Sequence, residues 1–299
     1  IWATTWCSIC LGQTEARIAV ARRTPAPVLE PVRTTLRVDV NRVLIPVTVT
    51  DALERPITTL SKDSFRVLED GVEQGITSFG IEDGPVSVAL LFDTSGSMKD
   101  RIAGSIEALK DFFQTTTPGD EFSLIRFSDH AQMSVGFTAN PDHIYRELAG
   151  VQPKGWTALL DALALGASHM RRAGNRRRVL LVLSDGGDNN SRFNASEVKN
   201  ILLESDVRVY AICLQYRPKL LRQFAELTGG NVVVAHKLDE LPELVHQLGA
   251  EIRSHYLLGY SPINASNDGK FRKVKVQLVE NANTAKLRAS WRRGYYGPE

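Results

Sequence analysis

The segment Phe92-Asp93-Thr94-Ser95-Gly96-Ser97-Met98 sets one carboxylate and two hydroxyls, Asp93, Ser95 and Ser97, at alternate positions. On a tight loop between a buried strand and a helix N-terminus, alternate side chains converge on one point. A donor set made only of oxygen suits a hard divalent cation. Mg2+ fits best, because it binds few protein groups and keeps several waters, with Mn2+ and Ca2+ as the other oxygen-preferring ions. Asp and Ser are also common helix N-caps, so this loop alone leaves capping and cation binding both open. Two distant segments add to the second reading. Gly155-Trp156-Thr157 sets a hydroxyl ahead of a helix, and Leu183-Ser184-Asp185-Gly186 ends an apolar run with a second carboxylate.

The elements that must hold these residues are visible in the hydrophobic pattern. Residues 86–92 form a continuous apolar run, as expected of a parallel strand covered on both faces, and Ile102, Ile106, Leu109 and Phe113 then share one helical stripe. Strand patterns recur at 122–127, 133–137, 179–183, 207–214 and 232–234. Helical patterns lie at 159–170, 198–203, 220–227 and 241–252. This alternation predicts an α/β body over residues 85–253 with a doubly wound, mainly parallel sheet, which collects ligands at the carboxyl ends of its strands. Residues 35–84 and 254–299 carry strand patterns without helices, at 36–40, 43–50, 65–68, 256–260, 274–279 and 287–291. Each flank is too small to fold alone. The two are therefore expected to pair as one accessory β subdomain.

At the residues that carry the chemistry, the chain resembles the von Willebrand factor type A family. The metal-ion-dependent adhesion site of that family is built from Asp-x-Ser-x-Ser, a distal Thr and a distal Asp. Asp93, Ser95, Ser97, Thr157 and Asp185 match all five positions, and the resemblance extends from about residue 85 to 252. It implies that Ser95, Ser97 and Thr157 coordinate the cation directly while Asp93 and Asp185 hold it through waters. It also implies that an open coordination position takes an acidic side chain from a protein partner. Asp188, in Gly187-Asp188-Asn189-Asn190, is near enough to help, although Asp and Asn are also frequent there for turn reasons. Trp156 either anchors the partner or folds back over the helix start. The flanks look like those of the VWFA-related proteins abundant in acidobacteria, which are mostly exported.

Other chemistries are poorly served. A phosphatase of the haloacid-dehalogenase type needs a second Asp two residues after the first, where Ser95 stands. A serine-hydrolase elbow needs Gly two positions to either side of its nucleophile, a frame that neither Ser95 nor Ser97 meets. His130, His143, His169, His236, His246 and His255 show no metal-ligand spacing. The five arginines from Arg171 to Arg178 read as a solvated helix end rather than an anion-binding patch.

Composition sets the outer bounds. The 299 residues are 43% hydrophobic and 23% charged, which excludes a disordered chain and allows a large core. A net charge of +2 gives no general reason to expect nucleic acid or an anionic membrane, although residues 251–299 carry nine basic against four acidic side chains. Three cysteines exclude a disulfide framework. Cys213 is expected in the core, and the CxxC of Cys7 and Cys10 has no second pair to complete a zinc site. Residues 1–12 read as the end of a secretory signal peptide, and residues up to 34, with Pro25, Pro27 and Pro31, as a linker. No stretch approaches the ~20 apolar residues of a membrane span. The sequence thus points to a Mg2+-dependent protein-binding module, secreted or in the periplasm or cell envelope, without enzymatic activity. A metal-dependent hydrolase using the same cation and a structural module without ligand are its alternatives.

Overall fold

The computed structural model describes residues 42–185, 187–214, 219–264, 266, 268–280 and 284–298. The signal-peptide and linker readings, the strand pattern at 36–40, and the Cys7 and Cys10 pair lie outside the described residues, as do Gly186 and Asn267.

Along the chain, β1 (Val43–Thr50), β2 (Phe65–Glu69), β3 (Val72–Gln74) and β4 (Ile76–Glu82) precede the α/β body. The body comprises β5 (Val86–Asp93), α1 (Ile102–Gln114), β6 (Glu121–Phe127), β7 (Ala131–Thr138), α2 (Asp142–Leu148) and α3 (Leu159–His169). It continues with β8 (Arg177–Ser184), α4 (Ala195–Ser205), β9 (Arg208–Leu214), α5 (Lys219–Thr228), β10 (Val232–Ala235) and α6 (Leu241–Arg253). After it come β11 (His255–Tyr260), β12 (Phe271–Leu278), β13 (Arg288–Trp291) and β14 (Gly294–Tyr296).

The body's sheet has the order β10-β9-β8-β5-β6-β7, parallel throughout except for the antiparallel edge strand β7. Every residue of β5 is buried, and the two-residue period of a strand divides them between two cores. Val88, Leu90 and Phe92 face Leu109 and Phe112 of α1 and Val245 and Leu248 of α6. Ala89 and Leu91 face Leu159 and Leu163 of α3, together with Val198 and Leu202 of α4. A fully buried Leu contributes roughly 1.5–3 kcal/mol, so a strand such as β5 is held from both sides. Cys213 sits in the second core with its thiol pushed up to about 12 by burial, an inert apolar position.

The flanks form two four-stranded sheets, β13-β1-β11-β4 and β14-β12-β2-β3. In the first sheet strands from before and after the body alternate, β11 running antiparallel to both β1 and β4, whereas in the second a leading pair and a trailing pair meet at β2 and β12, also antiparallel. The sheets share one core that includes Val47, Phe65, Tyr256, Val274 and Trp291. Its buried carboxylate, Glu69, accepts hydrogen bonds of 2.7 Å from both the Tyr260 and Tyr295 hydroxyls. β2 and β3 are joined by Asp70-Gly71, both with positive φ (48° and 87°), as a tight two-residue hairpin requires.

One reading is corrected. Arg171 and Arg172 do end a helix in solvent, but Arg177 and Arg178 belong to β8, and Arg177 is only 9% exposed. The carbonyls of Gly84 and Ile252, brought there by the chain entering and leaving the body, accept from its guanidinium and make that burial possible.

Candidate metal centre

β5 is the point where the sheet changes direction, with β6, the next strand in the chain, on one side and β8 on the other. In open α/β sheets the crevice at such a strand's carboxyl end is the ligand position. Asp93, the last residue of β5, is fully buried there. Its Oδ1 accepts from the Ser95 amide at 2.8 Å and its Oδ2 from the Ser184 hydroxyl at 2.5 Å. These bonds fold the loop back, so that the Ser95 and Ser97 hydroxyls lie 3.1 Å apart, Ser95 buried and Ser97 exposed. Adjacent ligands of an octahedral ion at 2.0–2.1 Å stand about 3 Å from each other. The two hydroxyls therefore fit one edge of such a shell without rearrangement.

The second loop is tied to the first through the backbone. The Gly96 amide donates to the Gly155 carbonyl (3.1 Å), and the Lys154 amide to the Thr94 carbonyl (2.9 Å). Gly155 has φ +80°, and a Cβ there would collide with the Asp129 carboxylate, which accepts from the Trp156 amide at 2.7 Å. Only glycine lets the loop turn that closely. Thr157 is 4% exposed and clamped by the loop after β8: its amide donates to Asn189 Oδ1 at 2.8 Å, and its carbonyl accepts from the Asn189 and Asn190 amides.

Asp185, at the end of β8, is half-buried. Arg101 Nη1 reaches both its Oδ2 (3.3 Å) and the Ser97 carbonyl (3.0 Å), linking the second carboxylate to the serine loop. Burial raises the Asp93 carboxyl above its ordinary range, hydrogen bonds from Ser184 and Ser95 oppose the rise, and the nearby Asp185 charge adds to it. A bound cation would favour the ionised form. Among the described residues no three His, Cys, Asp or Glu side chains cluster as metal ligands, so an ion at this position would rely on hydroxyls.

The structure thus gathers Asp93, Ser95 and Ser97 directly, ties Asp185 to them through Arg101, and holds the backbone of Gly155, two residues before Thr157, against Gly96. Asp188 is used otherwise: its Oδ1 accepts from the Leu160 amide (3.1 Å) and the Ser191 hydroxyl (2.5 Å), at the start of α3. Trp156 is 64% exposed and does not cover the helix start. The positioning roles of Asp129, Asn189 and Arg101 went unread in the sequence. Asn189 lay in a loop already marked by its Asp and Asn residues, whereas nothing local marked the other two.

Residues 88–187 match the family model of the von Willebrand factor type A domain. Those residues carry a von Willebrand factor type A domain. No curated protein sequence matches the chain. Among solved structures, a von Willebrand factor type A protein from Catenulispora acidiphila is similar with a TM-score of 0.52 and 13% identity, over 79% of this chain and 74% of that one. Proximal thread matrix protein 1 from the mussel byssus, described with a zinc-occupied MIDAS motif, is similar with a TM-score of 0.50 and 19% identity. That match covers 62% of this chain and 50% of the mussel protein. At such identities the likeness concerns the fold. Type A domains commonly mediate protein interactions.

Proposed function

We propose that the type A domain binds a divalent cation, Mg2+ first, through Ser95, Ser97 and Thr157, with Asp93 and Asp185 orienting the shell, and that a partner's acidic side chain completes it. The observation that carries this reading is the pair of serine hydroxyls at 3.1 Å, held by a fully buried carboxylate at the sheet's switch point. Neutral hydroxyls leave the charge of a hard cation largely uncompensated, so the bound ion would supply an electropositive contact for an anion. Trp156, exposed beside Thr157, supplies apolar area for the rest of the interface.

The function is binding, without a reaction, in an exported protein. Among the described residues no helix is long and apolar enough to cross a membrane. Calorimetric titration with Mg2+ and Mn2+ tests the site. Saturable binding is expected, weakened about 100-fold in Asp93→Ala, as when groups that orient metal ligands are lost. Equal binding by wild type and variant would refute the site, and metal-dependent hydrolysis of a phosphoester by the purified chain would favour an enzyme.

A further inference from the structure

At the opposite end of the same sheet, where the strands begin, a cavity of about 160 Å3 lies between the body and strands β1 and β11. Arg176, Arg177, Arg178, Arg208 and Arg292 line it. Its acidic lining consists of Glu82 and Asp206, so five guanidinium groups face two carboxylates, an excess of three positive charges. Both carboxylates are engaged: Glu82 Oε2 accepts from His255 Nε2 at 2.9 Å, and Asp206 accepts from Arg292. His255 does not neutralise the excess. Its buried imidazole accepts from Arg177 through Nδ1 at 3.2 Å.

Arg177 is more than nine-tenths buried, and its terminal nitrogens go to the Gly84 and Ile252 carbonyls and to His255. Its Nε is buried without a hydrogen-bond partner, as is that of Arg178. Neither Arg176 nor Arg178 has an ion pair among the described residues. Buried charge without a counter-charge is costly, and aliphatic walls concentrate its field within the cavity. At ~30 Å3 per water, the volume accommodates about five waters, the number of non-hydrogen atoms in a tetrahedral oxyanion. The planar fork of arginine matches phosphate oxygens.

We propose that this cavity is a binding site for a phosphate-class oxyanion, either free phosphate or the terminal group of a small phosphate ester. It is separate from the metal centre. Val86 and Asp93 are the two ends of β5, seven steps of ~3.3 Å, or about 23 Å, apart.

The test is calorimetric titration of the full chain with inorganic phosphate, in excess chelator and at constant ionic strength. Saturable one-to-one binding is expected, with no response to chloride. Arg178→Gln and Arg176→Gln should each weaken it at least tenfold. Arg66→Gln, which removes a positive charge from β2, should leave it unchanged. Arg176 is exposed, so its replacement keeps the test valid if Arg178→Gln folds poorly. Absence of saturable binding would overturn the proposal, as would equal binding by both cavity variants or an equal loss in Arg66→Gln. Titration with glycerol 3-phosphate separates the sources. Binding as tight as that of phosphate assigns the cavity to a terminal phosphate group, and loss of binding assigns it to the free ion.

Discussion

At its carboxyl end β5 delivers Asp93 into a cluster of hydroxyls that opens to solvent, with Ser97 and Trp156 exposed around it. At its amino end Val86 pairs with Arg177, beneath β1 and β11, and the cavity there gathers arginines. The same buried strand therefore separates an accessible oxygen-rich tip from a cationic base covered by a second layer of strands. What lies beyond each strand end decides the difference. Loops at the tip are braced by side chain to backbone bonds and leave the crevice open, whereas the returning chain closes the base with a second folded layer.

Three experiments break or sharpen this contrast. Deleting residues 42–82 should have the largest effect, because it strips β11 of both its neighbours and β12 of β2. The exposed strand edges should aggregate. A monomeric variant whose residues 255–260 and 271–278 stay protected from hydrogen exchange would show that the base does not depend on the leading strands.

Next is Glu251 at the base, fully covered and hydrogen-bonded to Asn231 Nδ2 at 2.9 Å, its carboxyl pushed up to about 7 by burial. Its folded value lies above the unfolded one, so its stabilising contribution is present at low pH and lost as the pH rises from about 4.5 to 7. That loss amounts to about 3 kcal/mol between pH 4.5 and 8. Glu251→Gln should remove this part of the pH dependence in urea unfolding, leaving the variant the more stable protein at pH 8. An unchanged difference between the two pH values would show that the base is wetter than its burial implies.

The smallest effect on the fold is expected at the tip. Trp156→Ala should change stability by less than about 0.5 kcal/mol, as for an ordinary surface position. It should weaken a cation-dependent partner by about 2 kcal/mol. A large loss of stability would place Trp156 in the core instead.

Much of the body was legible because β5, β8 and β9 are buried on both faces and so read as unbroken apolar runs. β3, β4, β14 and α2 were not read. β4 is mostly half-buried and lacks a clean alternation, β14 has three residues, and α2 has seven. In the crevice, Asp93, Ser95 and Ser97 were legible because their convergence is local. Thr157 and Asp185 were legible as a hydroxyl ahead of a helix and a carboxylate ending an apolar run, and the family resemblance joined them to the same site. The bonds that position them were hidden, since Trp156 meets Asp129 across 27 residues, Thr157 meets Asn189 across 32, and Arg101 meets Asp185 across 84.

The sequence by itself determined the alternating strands and helices, the two β flanks and the oxygen donors at the end of β5, because hydrophobic period and local spacing need no distant partner. Tertiary structure alone decided that the flanks interleave strand by strand in one sheet and meet at β2 and β12 in the other, that Trp156 faces solvent and that Arg177 is buried. Periodicity states which face of an element is covered but not what covers it. The carbonyls of Gly84 and Ile252 reach Arg177 only because the chain enters the body, and α6 ends, at the start of the sheet.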